Sequence, residues 1–271
     1  MSVNLDQIGL RSVAKEYDHF FIDVWGVIHD GINLHQGAVE VLNNLNKLKK
    51  DYVLLTNAPR PNFVVLKFLE KMGLSKNHSK KVYTSGEASL KFLKKKYNVS
   101  KFFHIGPTKD FDLFFSFKNN KVLNIDNAEF LLCTGLFKKF ENDLDYYKNL
   151  LEKHKDKKMV CTNPDLIVNR GNKKEFCAGS VAKIFEEIGG SVEYFGKPYS
   201  LIYKISSSLS NKKILCIGDN LNTDIKGANN QNFDSLFITS GIHNSEINND
   251  LKSLLKKYDV TTKYNQEYLK W

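Results

Sequence analysis

Acidic residues follow two apolar stretches that lie far apart in the chain. Asp23 comes directly after residues 20–22, and Gly26 stands three residues further on. Asp219 and Asp224 follow the second stretch, residues 214–217. Ligands of open α/β sheets bind at the C-terminal ends of the strands, although a lone aspartate there can also simply cap a turn. The carboxylates can meet only if both stretches are neighbouring strands of one sheet.

Two further segments carry polar side chains directly after an apolar strand. Thr56 and Asn57 close the apolar run 51–56, and Lys197 stands between Gly196 and Pro198 after the run 192–195. Each segment alone is a weak indication, since a lysine before proline is also typical of a surface turn. The four segments together, each at the end of a predicted strand, indicate a single site.

The elements that must position these residues alternate between strand and helix. Apolar strands at 19–24, 51–56 and 82–84 alternate with helices at 37–50, near 64–73, and at 87–97. This order predicts an α/β fold, a Rossmann-like core with a parallel sheet and helices on both faces. The alternation resumes after 190, with strands at 192–195, 213–217 and 235–239. The remaining N-terminal residues, 1–18, are polar and are predicted to include a short helix.

The middle of the chain departs from this alternation. Short strands at 102–105, 122–125 and 130–134 have little helix between them, and a polar loop from 163 to 174 follows the strand at 159–162. We therefore predict an inserted α+β cap domain at 99–190 and a core domain made of 1–98 and 191–271.

Composition narrows the class of protein. The chain has 271 residues, 42% of them apolar, which is ample for a core. No apolar run approaches the roughly 18 residues of a membrane span, and residues 1–6 lack the pattern of a signal peptide. The cysteines do not form a CxxC pair, and three of the four lie in apolar strands, which is typical of buried thiols in a reducing compartment. We expect a cytoplasmic protein without a membrane partner.

The net charge of +10 is carried mostly by lysines spread over predicted helix faces and loops. Neither an arginine-rich cluster nor an RNA-binding aromatic motif accompanies them. We interpret most of these lysines as solvated, with some general attraction for anionic substrates, and expect no nucleic-acid partner. A nucleic-acid-binding protein would instead need the lysines gathered on one face.

The four segments, in this order, resemble the motifs of the haloacid dehalogenase-like hydrolase superfamily. The branch with the greatest similarity is subfamily IIA, whose members are phosphatases with a large cap between the second and third motifs. The resemblance covers nearly the whole chain: residues 23–31 resemble the first motif, 55–57 the second, 196–198 the third and 218–224 the fourth. Residues 161–165 and 178–180 resemble stretches of the cap.

The resemblance implies a nucleophile and a metal site. Asp23 would attack phosphorus and form an aspartyl-phosphate, which divides one difficult step into two. Asp23, Asp219 and the backbone carbonyl of Trp25 would ligate Mg²⁺. Asp224 would bind the water shell of the metal or orient Asp219. Mg²⁺ suits such a set because it takes few carboxylates and shares the phosphate of the substrate.

The resemblance also implies a substrate site for a small phosphorylated metabolite. Lys197 and Thr56 would bind the phosphoryl oxygens, and Asn57 would shape the same loop. In the cap, Asp165, Asn169 and Arg170 are loop residues that could contact substrate, and Arg170 is the first to test because arginine binds phosphate or carboxylate in a bidentate way. Many cap-bearing relatives are homodimers, so a homodimer is plausible by resemblance only.

Backbone donors of Gly179 and Ser180 could bind an anion, or the Ser180 hydroxyl could cap a helix.

One position departs from the family pattern. Its phosphatases carry an acid–base aspartate two residues after the nucleophile, where this chain has Trp25. General acid–base catalysis by such an aspartate accelerates a reaction roughly 10²–10⁴-fold. Three hypotheses remain open: a phosphatase that is slow, prefers good leaving groups or uses another acid such as His29 or Asp30; a phosphate-ester-binding protein without turnover; or a dehalogenase. The dehalogenases also have an aromatic residue before glycine, but they need no metal, so the retained Asp219 argues against that hypothesis.

Overall fold

The computed structural model of the protein describes residues 2–170, 173–247 and 250–271. The strands, in chain order, are β1 Val3–Asn4, β2 His19–Ile22, β3 Asp51–Thr56, β4 Val82–Thr84, β5 Phe102–Ile105, β6 Lys121–Val122, β7 Phe130–Cys133, β8 Lys158–Cys161, β9 Ile167–Arg170, β10 Lys173–Phe176, β11 Ser191–Tyr194, β12 Ile214–Gly218, β13 Asp234–Ile238 and β14 Tyr264–Gln266.

The α-helices, in chain order, are α1 Gln36–Lys47, α2 Asn62–Lys71, α3 Ser85–Lys96, α4 Leu144–Leu151, α5 Ala178–Glu187, α6 Ser200–Ser206, α7 Lys226–Asn230 and α8 Leu251–Lys257. Short 3₁₀ segments and one π-helical turn, Leu221–Ile225, connect them. Over the described ranges, every helix falls short of the length and apolar character that crossing a bilayer requires.

Seven strands form the core sheet in the order β1-β14-β13-β12-β2-β3-β4, and every neighbouring pair is parallel. From β2 the chain proceeds through β3 and β4 toward one edge, and from β12 it proceeds through β13 and β14 toward the other. The order therefore reverses between β2 and β12, which is where open α/β sheets bind their ligands.

The core strands are apolar on both faces because helices cover both sides of the sheet. Phe20 and Ile22 pack into the larger buried cluster, together with residues of α1. Phe21, between them, faces the opposite cluster with Ile202 and Tyr203 of α6. This two-residue alternation with both faces buried is the pattern that the continuous apolar runs predict. The predicted α/β fold with a parallel core sheet is confirmed.

The middle of the chain forms a second sheet of five strands in the order β11-β8-β7-β5-β6. All of its neighbouring pairs are parallel, so the predicted α+β character is wrong for this sheet. Helices α4 and α5 pack on it through Tyr147, Leu151 and Phe185. We call the part of the chain that carries this sheet, residues 102–194, the insert.

The last strand of the insert corrects the predicted boundary at 190. Residues 192–195 were assigned to the core, but β11 pairs with β8, with Val192 opposite Met159. The chain therefore enters the core again only after Tyr194. An apolar strand has the same pattern in either sheet, so periodicity cannot decide between them.

Two other predictions differ from the structure. The predicted polar loop at 163–174 contains β9 and β10, which form an antiparallel hairpin with Ile167 opposite Phe176. Its apolar residues, Ile167, Val168 and Phe176, stand at one end of the hairpin, and a two-stranded ribbon has no buried face of its own, so no apolar alternation marks it. The predicted short helix in residues 1–18 is instead the edge strand β1 followed by 3₁₀ turns.

Candidate active site

Three carboxylates converge at the reversal point of the core sheet. Asp23 follows β2, and Asp219 follows β12. Asp224 lies in the π-helical turn after β12. Ligand oxygens of the three side chains all lie within 4.8 Å of one another. The three residues are only 8%, 6% and 4% exposed, respectively. The strands that carry Asp23 and Asp219 are adjacent, with Ile22 opposite Ile217, so the sheet itself brings the carboxylates together.

The backbone around the site fixes two of these carboxylates. The N–H of Ile242 donates to Asp219 Oδ2 at 2.9 Å, and the N–H of Asn220 donates to Asp224 Oδ2 at 3.1 Å. Gly26 has a φ of 90°, and a Cβ there would lie 2.3 Å from Asp219 Oδ2. Glycine is therefore required for this close approach.

Gly241 has the same role on the other side of Asp219. A Cβ at Gly241 would lie 2.1 Å from Asp219 Oδ2. Sequence reasoning did not identify Gly241 or the Ile242 N–H as parts of the site. The indication that was available is the Ser240-Gly241 pair shortly after the apolar strand β13.

Lys197 enters the site between the carboxylates. Its ammonium group donates to Asp23 Oδ1, lies 2.7 Å from Asp224 Oδ1 and donates to the carbonyl of Leu55 at 2.9 Å. Burial alone would lower the pKa of Lys197, but the carboxylates of Asp224 and Asp23 outweigh it and hold that pKa above its ordinary value. Lys197 is therefore a fixed positive charge beside Asp23.

One lysine does not balance three buried carboxylates. Burial and, after it, the neighbouring carboxylate of Asp224 raise the pKa of Asp219 to about 7. Burial also raises the pKa of Asp23 well above its ordinary value, against the opposing charge of Lys197. Clustered carboxylate oxygens with a net negative charge are the ligands that a hard divalent cation prefers. These residues therefore fit a Mg²⁺ site.

Asn57 connects the core to the insert. Its Oδ1 accepts from the N–H of Lys197 at 2.7 Å, and its Nδ2 donates to the Lys197 carbonyl at 3.0 Å. The same Nδ2 donates to Asp165 Oδ1 at 3.0 Å. Thr56, the residue before it, accepts the Ala58 N–H on its hydroxyl at 3.2 Å. Asp165, which the sequence showed only as a loop residue, is thus held beside the site.

The pKa values of both predicted substitute acids near Trp25 are lowered, so neither is in its acidic form at neutral pH. His29 accepts the Gly31 N–H on Nδ1 at 2.8 Å, and burial lowers its pKa to about 4. Asp30 accepts the N–H groups of Ile32 and Asn33 on Oδ1, and the hydrogen bond from Asn33 leads the causes that lower its pKa. His29 is therefore neutral, and Asp30 is ionised.

The predictions for the insert have mixed outcomes. The side chains of Asn169 and Arg170 lie outside the described part of the structure. The N–H of Gly179 donates to the Asp165 carbonyl at 3.1 Å and that of Ser180 to the Cys177 carbonyl at 3.0 Å, so the predicted anion donors are already engaged. The Ser180 hydroxyl donates to the Leu166 carbonyl at 2.7 Å inside α5, so the predicted helix cap is wrong.

Two adjoining cavities open onto these residues. The inner cavity, of about 410 Å³, contains Asp23, Lys197 and Asp219 on its walls. The outer cavity, of about 670 Å³, lies between core and insert and is lined by Val64 and Phe68 on one side and Leu136 on the other. Trp25, Thr56, Asp165 and Val168 line both. A ligand could therefore place one end among the charges and the rest in the outer cavity.

Comparison with known proteins identifies the family. A model of haloacid dehalogenase-like hydrolases matches residues 20–115, and a second model described as HAD-hydrolase-like matches residues 194–261. The chain belongs to the haloacid dehalogenase-like hydrolases. The two matched segments flank most of the insert and contain every core residue of the site.

Solved structures agree with this assignment. A hydrolase of the haloacid dehalogenase-like family from Brucella suis 1330 is 29% identical, with 87% of this chain and 93% of that chain covered and a TM-score of 0.80. A possible sugar phosphatase of the HAD superfamily from Cytophaga hutchinsonii is 22% identical, with coverages of 96% and 97% and a TM-score of 0.78.

A 4-nitrophenylphosphatase from Thermotoga maritima is 23% identical, with coverages of 95% and 96% and a TM-score of 0.73. At these lower identities the last two structures show a shared fold. No match was found among proteins of curated function.

Proposed function

We propose that the protein is a Mg²⁺-dependent phosphatase that hydrolyses a small phosphate monoester through an aspartyl-phosphate on Asp23. The observation that carries this proposal is the convergence of Asp23, Asp219 and Asp224 within 4.8 Å at the sheet reversal point. The sugar phosphatase and 4-nitrophenylphosphatase with the same fold support the phosphate-ester class.

The residues divide the work by charge. Asp23 is the nucleophile, and the ammonium of Lys197 neutralises charge beside it and binds a phosphoryl oxygen. Thr56, on the wall shared by both cavities, binds another phosphoryl oxygen. Asp23, Asp219 and the Trp25 carbonyl would hold the metal, with Asp224 on its water shell or against Asp219. Bound Mg²⁺ would offset the negative charge that the phosphate and carboxylates bring together.

A phosphate-ester-binding protein with little turnover is the second candidate, because Trp25 stands where the family's phosphatases have their acid and neither His29 nor Asp30 can replace it. A dehalogenase is the weakest candidate, since a reaction without metal has no use for three clustered carboxylates. A cytoplasmic location and a homodimer stay predictions.

The test is a panel of phosphate esters, with 4-nitrophenyl phosphate, sugar phosphates and nucleotides, assayed with Mg²⁺ and with EDTA. We expect turnover that EDTA removes and that Asp23→Asn lowers at least about 10⁴-fold, as loss of a nucleophile does elsewhere. The matched control is Asp18→Asn, at the opposite end of the same strand, where the carboxylate accepts the Lys213 N–H. Activity that survives in the Asp23→Asn protein would contradict the mechanism.

A further inference from the structure

An aromatic row lines one wall of the outer cavity. The ring of Trp25 lies 5.0 Å from that of His29, and the ring of His29 lies 5.5 Å from that of Phe68, both in edge-to-face geometry. All three rings line the outer cavity. Gly31 supports the indole from behind, since a Cβ there would lie 2.7 Å from Trp25 Cζ2. The row is therefore a packed surface that begins at the position of the missing acid.

The rest of the outer cavity can hold a flat apolar group. Its volume of about 670 Å³ is within the range of cofactor and metabolite sites, roughly 300–1,000 Å³. Apolar side chains of α2 and of the turn before it lie on the same side as Phe68, and apolar side chains of the insert also line the cavity. The two sets are Pro59, Val64 and Val65, and Leu136, Val168 and Phe176. Charged side chains, among them Arg60, Lys138 and Glu141, complete the lining.

The described residues near Trp25 offer a leaving oxygen no suitable proton donor. The indole donates a hydrogen bond but does not ionise. His29 is 2% exposed and accepts the Gly31 N–H on Nδ1, and Asp30 Oδ1 accepts the backbone N–H groups of Ile32 and Asn33. Burial raises the pKa of Asp165 to about 6 against the hydrogen bond from the Asn57 amide, and that bond directs Asp165 Oδ1 toward the Lys197 loop.

We infer that the site is built for phosphate esters of aromatic alcohols, whose oxygen leaves as an anion without protonation by the enzyme and whose ring stacks on the aromatic row. This inference rests on the proposed phosphatase function and specifies its substrate class.

The leaving group decides the rate when no acid helps. Charge develops on the leaving oxygen in the loose transition state of phosphoryl transfer. A phenol has a pKa of about 10, as tyrosine does, whereas the pKa of an alkyl alcohol is far higher, close to that of water. Aromatic rings in edge-to-face or offset contact also gain about 0.5–1.5 kcal/mol beyond the area that they bury, which favours seating on Trp25 and Phe68.

The reaction balances without an enzymic acid. An oxygen of Asp23 forms a bond to phosphorus as the bond from phosphorus to the aryl oxygen breaks, and the electron pair of that bond leaves on the aryl oxide. The aryl oxide takes its proton from solvent. Water then attacks phosphorus, the bond to Asp23 breaks with its electron pair on the carboxylate, and the two protons of the water stay with the released phosphate, which passes one of them to solvent.

The first experiment measures kcat/KM of the wild-type protein with Mg²⁺ for substituted phenyl and naphthyl phosphates and for alkyl phosphates such as glycerol phosphate. We expect kcat/KM to fall steeply as the leaving-group pKa rises, with alkyl esters at least about 10³-fold slower than 4-nitrophenyl phosphate, within the range of a lost general acid. Alkyl and aryl esters within tenfold of each other would overturn the inference and leave the phosphatase proposal standing.

The second experiment restores the acid. Trp25→Asp should raise kcat/KM for alkyl phosphates about 10²-fold or more over Trp25→Asn, and should raise kcat/KM for 4-nitrophenyl phosphate over the same variant by a much smaller factor, because both variants lack the indole and differ only in the acid. The control is Trp25→Asn, which has the same shape as the aspartate but cannot give a proton, and should leave alkyl turnover low. Equal gains in both variants would overturn the inference, because the effect would then come from removing the indole.

Asp165→Asn completes the design. We expect it to leave the aryl-to-alkyl ratio of the wild-type protein within about threefold. Wild-type alkyl turnover that Asp165→Asn abolishes would make Asp165 the acid and overturn the inference. Loss of all turnover in wild type and in Trp25→Asp alike would contradict the proposed phosphatase function itself.

Discussion

Two adjacent strands of the seven-stranded sheet, β2 and β12, are followed by aspartates, whereas two adjacent strands of the five-stranded sheet of the insert, β7 and β8, are followed by threonines. Asp23 and Asp219 follow β2 and β12 of the core. At the same ends of the insert strands, Thr134 follows β7 and Thr162 follows β8. Both threonines are almost fully buried and satisfied, with Thr134 Oγ1 2.8 Å from His104 Nε2.

The residues that follow the strands thus differ between two sheets of the same construction, and the two sheets have unrelated roles. Both are parallel throughout, and both carry loops at their C-terminal ends that line the outer cavity. The core places three clustered carboxylates there, at a cost in burial, while the insert adds the single carboxylate of Asp165 and lines the outer cavity with a mixture of apolar and charged side chains. The reaction is therefore a property of side chains at one edge rather than of the fold.

Removing a carboxylate from the charged edge should give the largest effect. We expect Asp219→Asn to lower Mg²⁺-dependent turnover at least about 10³-fold, because several kcal/mol of charge stabilisation depend on the metal. In EDTA at pH 8 the same variant should be more stable, because the folded chain raises the pKa of Asp219 to about 7. Stability is lost as the pH rises from the unfolded pKa of about 3.9 to that value, and the full cost is present at pH 8.

Steady-state assays with Mg²⁺ and urea unfolding in EDTA, for wild type and Asp219→Asn, measure the expected changes in turnover and in stability. A variant that is as active as wild type, or less stable without metal, would contradict the comparison between the charged and the neutral edge.

Lys197→Met should damage both activity and stability. The lysine is 4% exposed and contacts Asp23 and Asp224, so its removal leaves buried carboxylates uncompensated, at a cost of about 3–5 kcal/mol in the free energy of unfolding. Turnover should fall roughly 10²–10³-fold. The control is Lys213→Met, an exposed lysine paired with Glu16, where the loss should stay below about 1 kcal/mol. Equal losses in the free energy of unfolding for Lys197→Met and Lys213→Met would show that Lys197 does not compensate buried carboxylates.

Gly26→Ala tests the close approach to Asp219. Gly26 and Gly73 both have positive φ, 90° and 105°, but a Cβ at Gly73 would meet nothing within 4 Å. Both alanines should cost about 1–2 kcal/mol of stability through the backbone alone. Only Gly26→Ala should also raise the Mg²⁺ concentration for half-maximal activity, by tenfold or more. Equal Mg²⁺ dependence in the two variants would remove Gly26 from the site.

The buried imidazole of His104, on the insert sheet, should change the pH dependence of stability in acid. Burial lowers the pKa of His104 to about 3, so its contribution is present above its unfolded pKa of about 6.5 and is lost as the pH falls below it, by about 2 kcal/mol at pH 5. His104→Leu should lower stability at pH 7.5 by about 1 kcal/mol, because it removes the bond to Thr134, and should make the loss between pH 7.5 and pH 5 smaller. Parallel pH curves for the two proteins would contradict a neutral buried imidazole.

The core of the site was predictable because its geometry follows from sheet topology. The structure brings together Asp23, Thr56, Lys197, Asp219 and Asp224, since each directly follows a strand or lies in the adjoining loop. Apolar runs marked those strands clearly. The roles of these residues in metal and phosphate binding stay predictions.

What the sequence did not reveal depends on contacts between distant parts of the chain. The pairing of β11 with β8 moved a strand from core to insert, although its residues would suit either sheet. The bond from Asn57 to Asp165 spans 108 positions and has no local pattern. The edge strand β1 has two residues, too few for any period to be visible.

Identification of the phosphorylated residue is the direct test of an aspartyl-phosphate on Asp23. Wild-type protein turning over 4-nitrophenyl phosphate with Mg²⁺ would be quenched in acid and reduced with borohydride, which converts an aspartyl-phosphate to homoserine. Peptide mass spectrometry should then find homoserine at position 23 and nowhere else. Turnover without homoserine at position 23, or with the modification at another residue, would contradict the account.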